Sequence, residues 1–365
     1  VADCGHVLEI KAQGDKDITI KLNYPNGPGD CRDGKLQRED PMQVGMRGVG
    51  WESNFFSTED DLRMGKEFVS NFNAKHSNLL VSDDTVLPYL NRVMAKISQN
   101  SDNPNLKPTV YFINADVTNA FALPGGSVYV FRGLMEKTKT ESELAGILGH
   151  EWAHSVARHG TRNMSRAIKG QLAALSAVAV IELIAAAKKN EANKNSKDQQ
   201  AAEEERKKIE RINLVKDIMN SLALVGAEFY LLAGSREVEE EADMLGAQYA
   251  FRANYNPVGI GMFFEGMLNG GSSGSSYWMN VLSSHPDHGR RVSMNHDRIE
   301  MFYPMKSGEL PLVSPDFVLA KGALEKLPPM LKGEQANKIL ANSFLDTNKD
   351  LALKEMAKVV NARVR

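Results

Sequence analysis

The feature that most constrains this chain is one helix that must carry two histidines a single turn apart. Residues Gly149 to Gly160 read GHEWAHSVARHG, and no proline interrupts Glu141 to Gly160. Thr140 followed three residues later by Glu143 is a capping box, which predicts a helix start there. Leu144, Ile147, Leu148, Trp152 and Val156 then recur at helical spacing. On such a helix His150 and His154 stand about 40° apart around the axis and about 6 Å along it. Two imidazole nitrogens so placed reach one metal ion at about 2.0–2.1 Å. The chain has eight histidines in 365 residues. A random chain of this composition shows H-E-x-x-H roughly 1% of the time, so the motif is informative and needs its context.

Two histidines do not complete a catalytic zinc site, which takes three protein ligands and keeps one position open. No cysteine is near the motif and the remaining histidines are scattered, so an acidic third ligand is expected. The dense acidic cluster is Glu237, Glu239, Glu240, Glu241 and Asp243. On a helix Glu239 and Asp243 share a face with Ala242 and Gly246, and small residues there let a second helix approach closely. Spacing alone leaves two readings open, a ligand-bearing helix and a solvated acidic face.

A chain of this length buries a sizeable core and holds one large domain, alone or with appendages. Its formal net charge of −2 argues against a nucleic-acid partner. Cys4 and Cys31 admit one disulfide in an oxidising compartment or two unpaired thiols. The chain starts at Val1 without a leader, as expected of a secreted protein whose signal peptide has been removed. Asp3 before Cys4 argues against a lipid anchor.

Along the chain, residues 1–50 read as a small β-rich appendage, with a strand in DITIKLNYP followed by turn chemistry. From Thr58 the pattern is helical, with Leu62, Phe68, Val69 and Phe72 on one side, and VLPYLNRVMAKISQN is a second amphipathic helix. Thr109 to Asn114 and Ser127 to Gly133 read as strands around a Pro124-Gly125-Gly126 turn. The apolar run Leu172 to Ala187 is too short to cross a bilayer and contains Glu182, so a buried helix is expected. Residues 188–211 are a charged insert of mixed sign, expected as a solvated helix or loop. Residues 269–276 read as a flexible loop, and the chain beyond Pro315 as helical with a break at Pro328-Pro329. DTNKDLALKEMA (Asp346 to Ala357) hints at a calcium loop, but Leu351 and Ala357 occupy the positions that need glycine and glutamate.

GHEWAHSVARHG followed by SREVEEEADMLGAQYA resembles the zinc metalloproteases related to HtpX and the CAAX prenyl endopeptidases, and the soluble periplasmic, BepA-like members look closest. That family pairs H-E-x-x-H with a later S-R-x-x-E-x-E-A-D helix, matched here by Ser235, Arg236, Glu239, Glu241, Ala242 and Asp243. The resemblance implies Glu239 as third zinc ligand and Asp243 as hydrogen-bond partner of a ligand histidine. NAFALPGGSVYVFRGLM (Asn119 to Met135) is similar to the family's segment before the zinc helix, and SSHPDHGRR (Ser283 to Arg291) to its later H-P motif. The implied fold is α+β: a predominantly helical, zincin-like (gluzincin) metalloprotease domain over residues 55–305, with a small sheet beside the H-E-x-x-H helix. Residues 306–365 then form a helical extension.

The function so implied is zinc-dependent endopeptidase, in cell-envelope protein quality control. His150, His154 and Glu239 hold one zinc, and Glu151 is the general base that takes a proton from water and passes it to the leaving amine. The strand from Ser127 to Phe131 is expected to offer an edge to an extended substrate, with Asn119, Ala120, Phe121, Ser127 and Arg291 in contact with it. His285, Arg290 and Arg291 are candidates to stabilise the oxyanion. His285 has a second expected role, capping the zinc as a fourth ligand. His159, about 140° round the helix from His154, is read as a helix-end residue off the ligand face. Expected partners are protein or unfolded-polypeptide substrates, with membrane-surface or outer-membrane-assembly contacts, in the periplasm or outside the cell. The alternative is a chaperone-like binding protein with a plugged or vestigial zinc site. An intramembrane protease is disfavoured by the short apolar runs.

Overall fold

The computed structural model describes residues 7–13, 17–23, 54–170, 236–270 and 310–333, and positions 335, 336, 351, 354, 355 and 358. Two compact units divide the chain, Val1–Val44 and Gly45–Arg365. In the first, β1 (Val7–Gln13) and β2 (Asp17–Asn23) form an antiparallel hairpin with Leu8 opposite Leu22 and Ile10 opposite Ile20. The sequence reading named the second strand only; VLEIKAQ carries the same two-residue alternation and is its partner.

In the second unit, α1 (Thr58–His76) opens on a capping box in which Ser57 and Asp60 bond each other's backbone N–H. Its buried stripe is Asp61, Met64, Gly65, Phe68 and Phe72. Leu62, expected on that stripe, is exposed because it lies one position off it. α2 (Val86–Gln99) buries Val86, Tyr89, Leu90, Val93, Met94 and Ile97, a helical-period stripe as expected. The Asp83 carboxylate accepts from the N–H groups of Thr85, Val86 and Leu87 at its start.

Three strands follow, β3 (Thr109–Ile113), β4 (Ala120–Ala122) and β5 (Ser127–Phe131), in the spatial order β3-β5-β4. β5 runs parallel to β3 and antiparallel to β4. The Pro124-Gly125-Gly126 turn joins β4 to β5 with φ of 82° and 91° at its glycines, a region that side chains disfavour. The strand expected to reach Gly133 stops at Phe131, because α3 (Arg132–Lys137) begins where Gly133 meets the backbone of Val117. Alternation along β5 sends Val128 and Val130 into one core and Tyr129 and Phe131 into another. The first core lies against α2 and α4 (Glu141–Val156). The second gathers Phe68 and Phe72 of α1 with Met164 and Ile168 of α5 (residues 159–170).

Among the described residues, two later helices pack on α4 and a third on α2 and α3. α6 (Arg236–Arg252) and α7 (Gly259–Gly270) pack on α4 through its small residues. A Cβ on Gly246 would fall 2.6 Å from the backbone N of His150, and one on Gly146 would fall 2.7 Å from the N of Ile260. α7 takes in the first two residues of the loop expected at 269–276. α8 (Pro315–Leu324) inserts Phe317, Ala320 and Leu324 into the first core, and its Lys321 donates to the carbonyls of Met135, Glu136 and Thr138 at the C-terminal end of α3. Pro328-Pro329 does break the helical pattern, and the Pro328 carbonyl accepts from Arg132. Among the described residues no helix is long and apolar enough to cross a membrane. Cys4, Cys31, the run 172–187 and the insert 188–211 lie outside the described residues.

The crossing of α4 and α6 leaves no room for a methyl group. Gly246→Ala should therefore destabilise the protein by about 1–3 kcal/mol. The check is the denaturant midpoint, read against unchanged helix content in buffer; a variant as stable as its parent would show that the helices can part.

Candidate metal centre

α4 is the best buried helix among the described residues. Fifteen of its residues, all but His154, are buried, among them Leu144, Ile147, Leu148, Trp152 and Val156. Thr140 caps it as expected, accepting from the N–H of Glu143. The Glu143 carboxylate in turn accepts from the backbone N–H of Lys139. The helix brings Nε2 of His150 and Nε2 of His154 to 3.0 Å from each other.

α6 supplies the acids. Close passage at Gly149 and Gly246 carries Glu239 and Asp243, one turn apart, to the histidines. Glu239 is 1% exposed; its oxygens lie 3.5 Å from Nε2 of His150 and 3.7 Å from Nε2 of His154. Asp243 lies 2.9 Å from Nδ1 of His150. With Nδ1 of His150 donating to Asp243, its Nε2 presents a lone pair. Two imidazole nitrogens and a carboxylate thus converge in a buried space, which is electrostatically unfavourable without a cation between them. Four ligands placed tetrahedrally at 2.0–2.1 Å are about 3.3–3.4 Å apart, and the three observed separations bracket that spacing. The donor set, two His nitrogens and one carboxylate oxygen within 4.8 Å of one another, fits zinc.

Glu151 points elsewhere, as its position one residue after His150 requires. Its Oε2 accepts from the N–H of Ala122 at 3.1 Å. Phe131 N–H bonds to the carbonyl of Asn119 and Leu123 N–H to that of Ser127, so residues 119, 121 and 123 bond to β5. Ala120 and Ala122 aim their backbone groups away from β5, towards the open side of the sheet. This corrects the expected substrate edge. The strand from Ser127 to Phe131 is the middle strand, and among the described residues β4 lies at the edge. Ser127 begins that middle strand, and the Phe121 ring stacks on Tyr129 in the second core. Asn119 and Ala120 line a small, partly open cavity beside His150 and Glu151, with Leu134, Ile147, Ile260, Phe263 and Phe264 as apolar walls. His285, Arg290 and Arg291 lie outside the described residues.

Sequence reasoning missed His159. The 140° offset assumed a continuous helix, but α4 ends at Val156 and Arg158 takes a left-handed conformation, φ 57°. That conformation is held by the Arg158 guanidinium, which binds the carboxylate of Asp61 and the carbonyl of Phe56. The turn swings His159 back so that its Nδ1 lies 2.8 Å from Nδ1 of His154. Nε2 of His159 lies 3.2 Å from Glu241, to which Arg162 donates at 3.0 Å. Burial pushes the His159 pKa below its usual value, which keeps the ring neutral at pH 7. Burial pushes the Glu241 carboxyl up, but the hydrogen bonds and charges of His159 and Arg162 outweigh it and hold its pKa at about 2. The H-x-x-x-x-H spacing from His154 to His159 was the available signal.

The architecture, mostly helical with a three-stranded sheet beside the H-E-x-x-H helix, is that of an α+β metalloprotease domain. Residues 86–298, more than half of the chain, match Peptidase family M48, and the chain belongs to that family. It is 28% identical over 241 residues to Mitochondrial metalloendopeptidase OMA1 of Schizosaccharomyces pombe, covering 66% of this chain and 61% of that protein. It is 26% identical over 265 residues to Beta-barrel assembly-enhancing protease of Yersinia pestis, covering 73% and 48%. The protein of the same name from Escherichia coli K12 is 26% identical over 269 residues, covering 73% and 48%. The chain thus spans about half to three fifths of the length of these relatives. α1 and α8 lie outside the matched segment yet complete its two cores.

Removing one ligand should abolish stoichiometric zinc binding, and removing its support should only weaken it. Glu239→Ala is expected to purify without zinc. Asp243→Ala should bind it about 10–100-fold more weakly. Chelator competition measures both, and full occupancy in Glu239→Ala would move the third ligand to another acid.

Proposed function

We propose that this protein is a zinc-dependent endopeptidase that cuts extended or unfolded polypeptide. The observation that carries the reading is the convergence of His150, His154 and Glu239 beside a carboxylate, Glu151, that is held off the ligand set by the edge strand. When bound, zinc supplies a Lewis acid that acidifies water and polarises the peptide carbonyl. Glu151 takes the proton from the attacking water and delivers it to the leaving amine. The Ala122 N–H fixes the direction in which Glu151 accepts that proton. Asp243 keeps His150 oriented throughout. His285 and Arg291 remain candidates for the oxyanion, and His285 for a zinc-capping role.

An extended chain adds to the edge of β4 by pairing with the outward N–H and C=O groups of Ala120 and with the C=O of Ala122, whose N–H is taken by Glu151. Such pairing reads backbone shape, which suits unfolded substrates of varied sequence. One side chain is read more closely, because the cavity beside His150 and Glu151 is walled by Leu134, Ile147, Ile260, Phe263 and Phe264. An apolar residue fills it, and a charged one loses its hydration there.

The assembly of β-barrels named in the bacterial relatives supports a setting in the cell envelope, with misassembled or unfolded envelope proteins as substrates. The first unit supplies none of the site residues, which supports residues 1–50 being an appendage outside the catalytic domain.

Glu151→Gln separates chemistry from binding. It should keep its zinc and lose peptide hydrolysis by about 10²–10⁴-fold. Activity near that of the parent, in protein free of other proteases, would refute the assignment of the base. Peptides with leucine or phenylalanine next to the scissile bond on its leaving side should be cut roughly 10-fold or more faster than those with aspartate there. Equal rates would remove the cavity from the binding site.

A further inference from the structure

We propose that His159 is a positioning residue that accepts a hydrogen bond from Nδ1 of His154 and so fixes which nitrogen of that histidine faces the metal. The proposal rests on the zinc reading above. It assigns a role to His159, and to the Glu241–Arg162 pair behind it, which the ligand set itself does not require.

The assignment follows from counting protons. A neutral histidine that ligates through Nε2 carries its proton on Nδ1. Nδ1 of His154 lies 2.8 Å from Nδ1 of His159, so that proton is donated to His159. His159 accepts it only if its own proton sits on Nε2, and Nε2 faces Glu241 at 3.2 Å. Glu241 is an acceptor when ionised, and Arg162 at 3.0 Å favours that state. Along Arg162, Glu241, His159 and His154 every donor then meets an acceptor.

The reverse assignment fails twice. If His159 donated from Nδ1, its Nε2 lone pair would face the Glu241 carboxylate, acceptor against acceptor. His154 would then carry its proton on Nε2, the atom that stands 3.0 Å from Nε2 of His150 and points into the ligand space. His159 is 2% exposed, so water does not supply an alternative partner from bulk. The two ligand histidines are therefore held by different means. His150 leans directly on a carboxylate, whereas His154 reaches one through an intervening imidazole. With Glu239 and Asp243 already beside the site, the intervening ring keeps a third negative charge one residue further away.

The 365-residue chain, labelled with ¹⁵N at its eight histidines and loaded with zinc, gives the direct test. Two-bond proton–nitrogen correlations should show His154 protonated at Nδ1 and His159 at Nε2. Zinc affinity by chelator competition gives the second. His159→Leu places a methyl group where Nδ1 stood and should weaken zinc binding about 10–100-fold. His159→Asn places an amide oxygen there and should recover most of that loss. Three results would overturn the proposal alone: zinc bound by the parent with His159 protonated at Nδ1, undiminished affinity in His159→Leu, or an equal loss in both variants. If His159→Leu does not fold, the spectrum of the parent decides. A parent that binds no zinc overturns the reading beneath as well, so the two failures are distinguishable.

Discussion

The backbones of α4 and α6 touch at Gly149 and Gly246, and the ligand distances follow from that contact. Helices usually pack with axes 8–10 Å apart, set by the side chains between them. Here the contact residues have no side chains, and the next turn of α4 carries His150 and His154 while the preceding turns of α6 carry Asp243 and Glu239. A larger residue at the crossing would move the acids away from the imidazoles together. The same helix meets α7 at Gly146, where Ile260 begins the wall of the apolar cavity. α4 is thus the centre of the core and of the site at once, which explains how a helix with three glutamates, Glu141, Glu143 and Glu151, comes to be buried. Each has a defined partner: the Tyr89 hydroxyl, the Lys139 N–H and the Ala122 N–H.

The parts of this arrangement that depend on local pattern were legible in the sequence. The α4 stripe, the α2 stripe, the glycine turn before β5 and the pairing of Glu239 with Asp243 on one face all follow from helical or strand periodicity. Face logic also brought Gly246 to the crossing. Choosing Glu239 over its acidic neighbours needed the family resemblance, since Glu240 and Glu237 have the same chemistry.

What was not legible depends on contacts far apart in the chain. β4 has three residues, too few for a pattern, and its place at the edge reflects a strand order that sequence order does not reveal. Arg158, rather than the neighbouring Gly160, takes the left-handed turn because Asp61 and the Phe56 carbonyl hold its side chain. That tertiary hold outweighs a local preference of about 1–2 kcal/mol. His159 was misplaced for this reason alone, and with it the contact it makes with Glu241. Glu241 lies two residues from Glu239 and so off the face that meets α4. Only a chain that doubles back after α4 brings a partner to it.

α6 therefore holds the site from several sides. Glu239 faces Nε2 of both His150 and His154, Asp243 meets Nδ1 of His150, and Glu241 meets Nε2 of His159 behind His154. Its C-terminal part is fastened independently. The Tyr249 hydroxyl donates to Asp102 and Arg252 lies 3.5 Å from the same carboxylate, while the adjacent Ser101 accepts from the Trp152 indole of α4. The residues after α2 thus tie α4 and α6 together beyond the glycine crossing. The anchored part of α6 fixes its course, and the acidic part responds to the charge between the histidines. Without a cation, Glu239 brings a buried negative charge towards two imidazole lone pairs, which opposes docking of that part. With one, the same group attracts. A cation between the histidines and packing of the first turns of α6 would therefore favour each other.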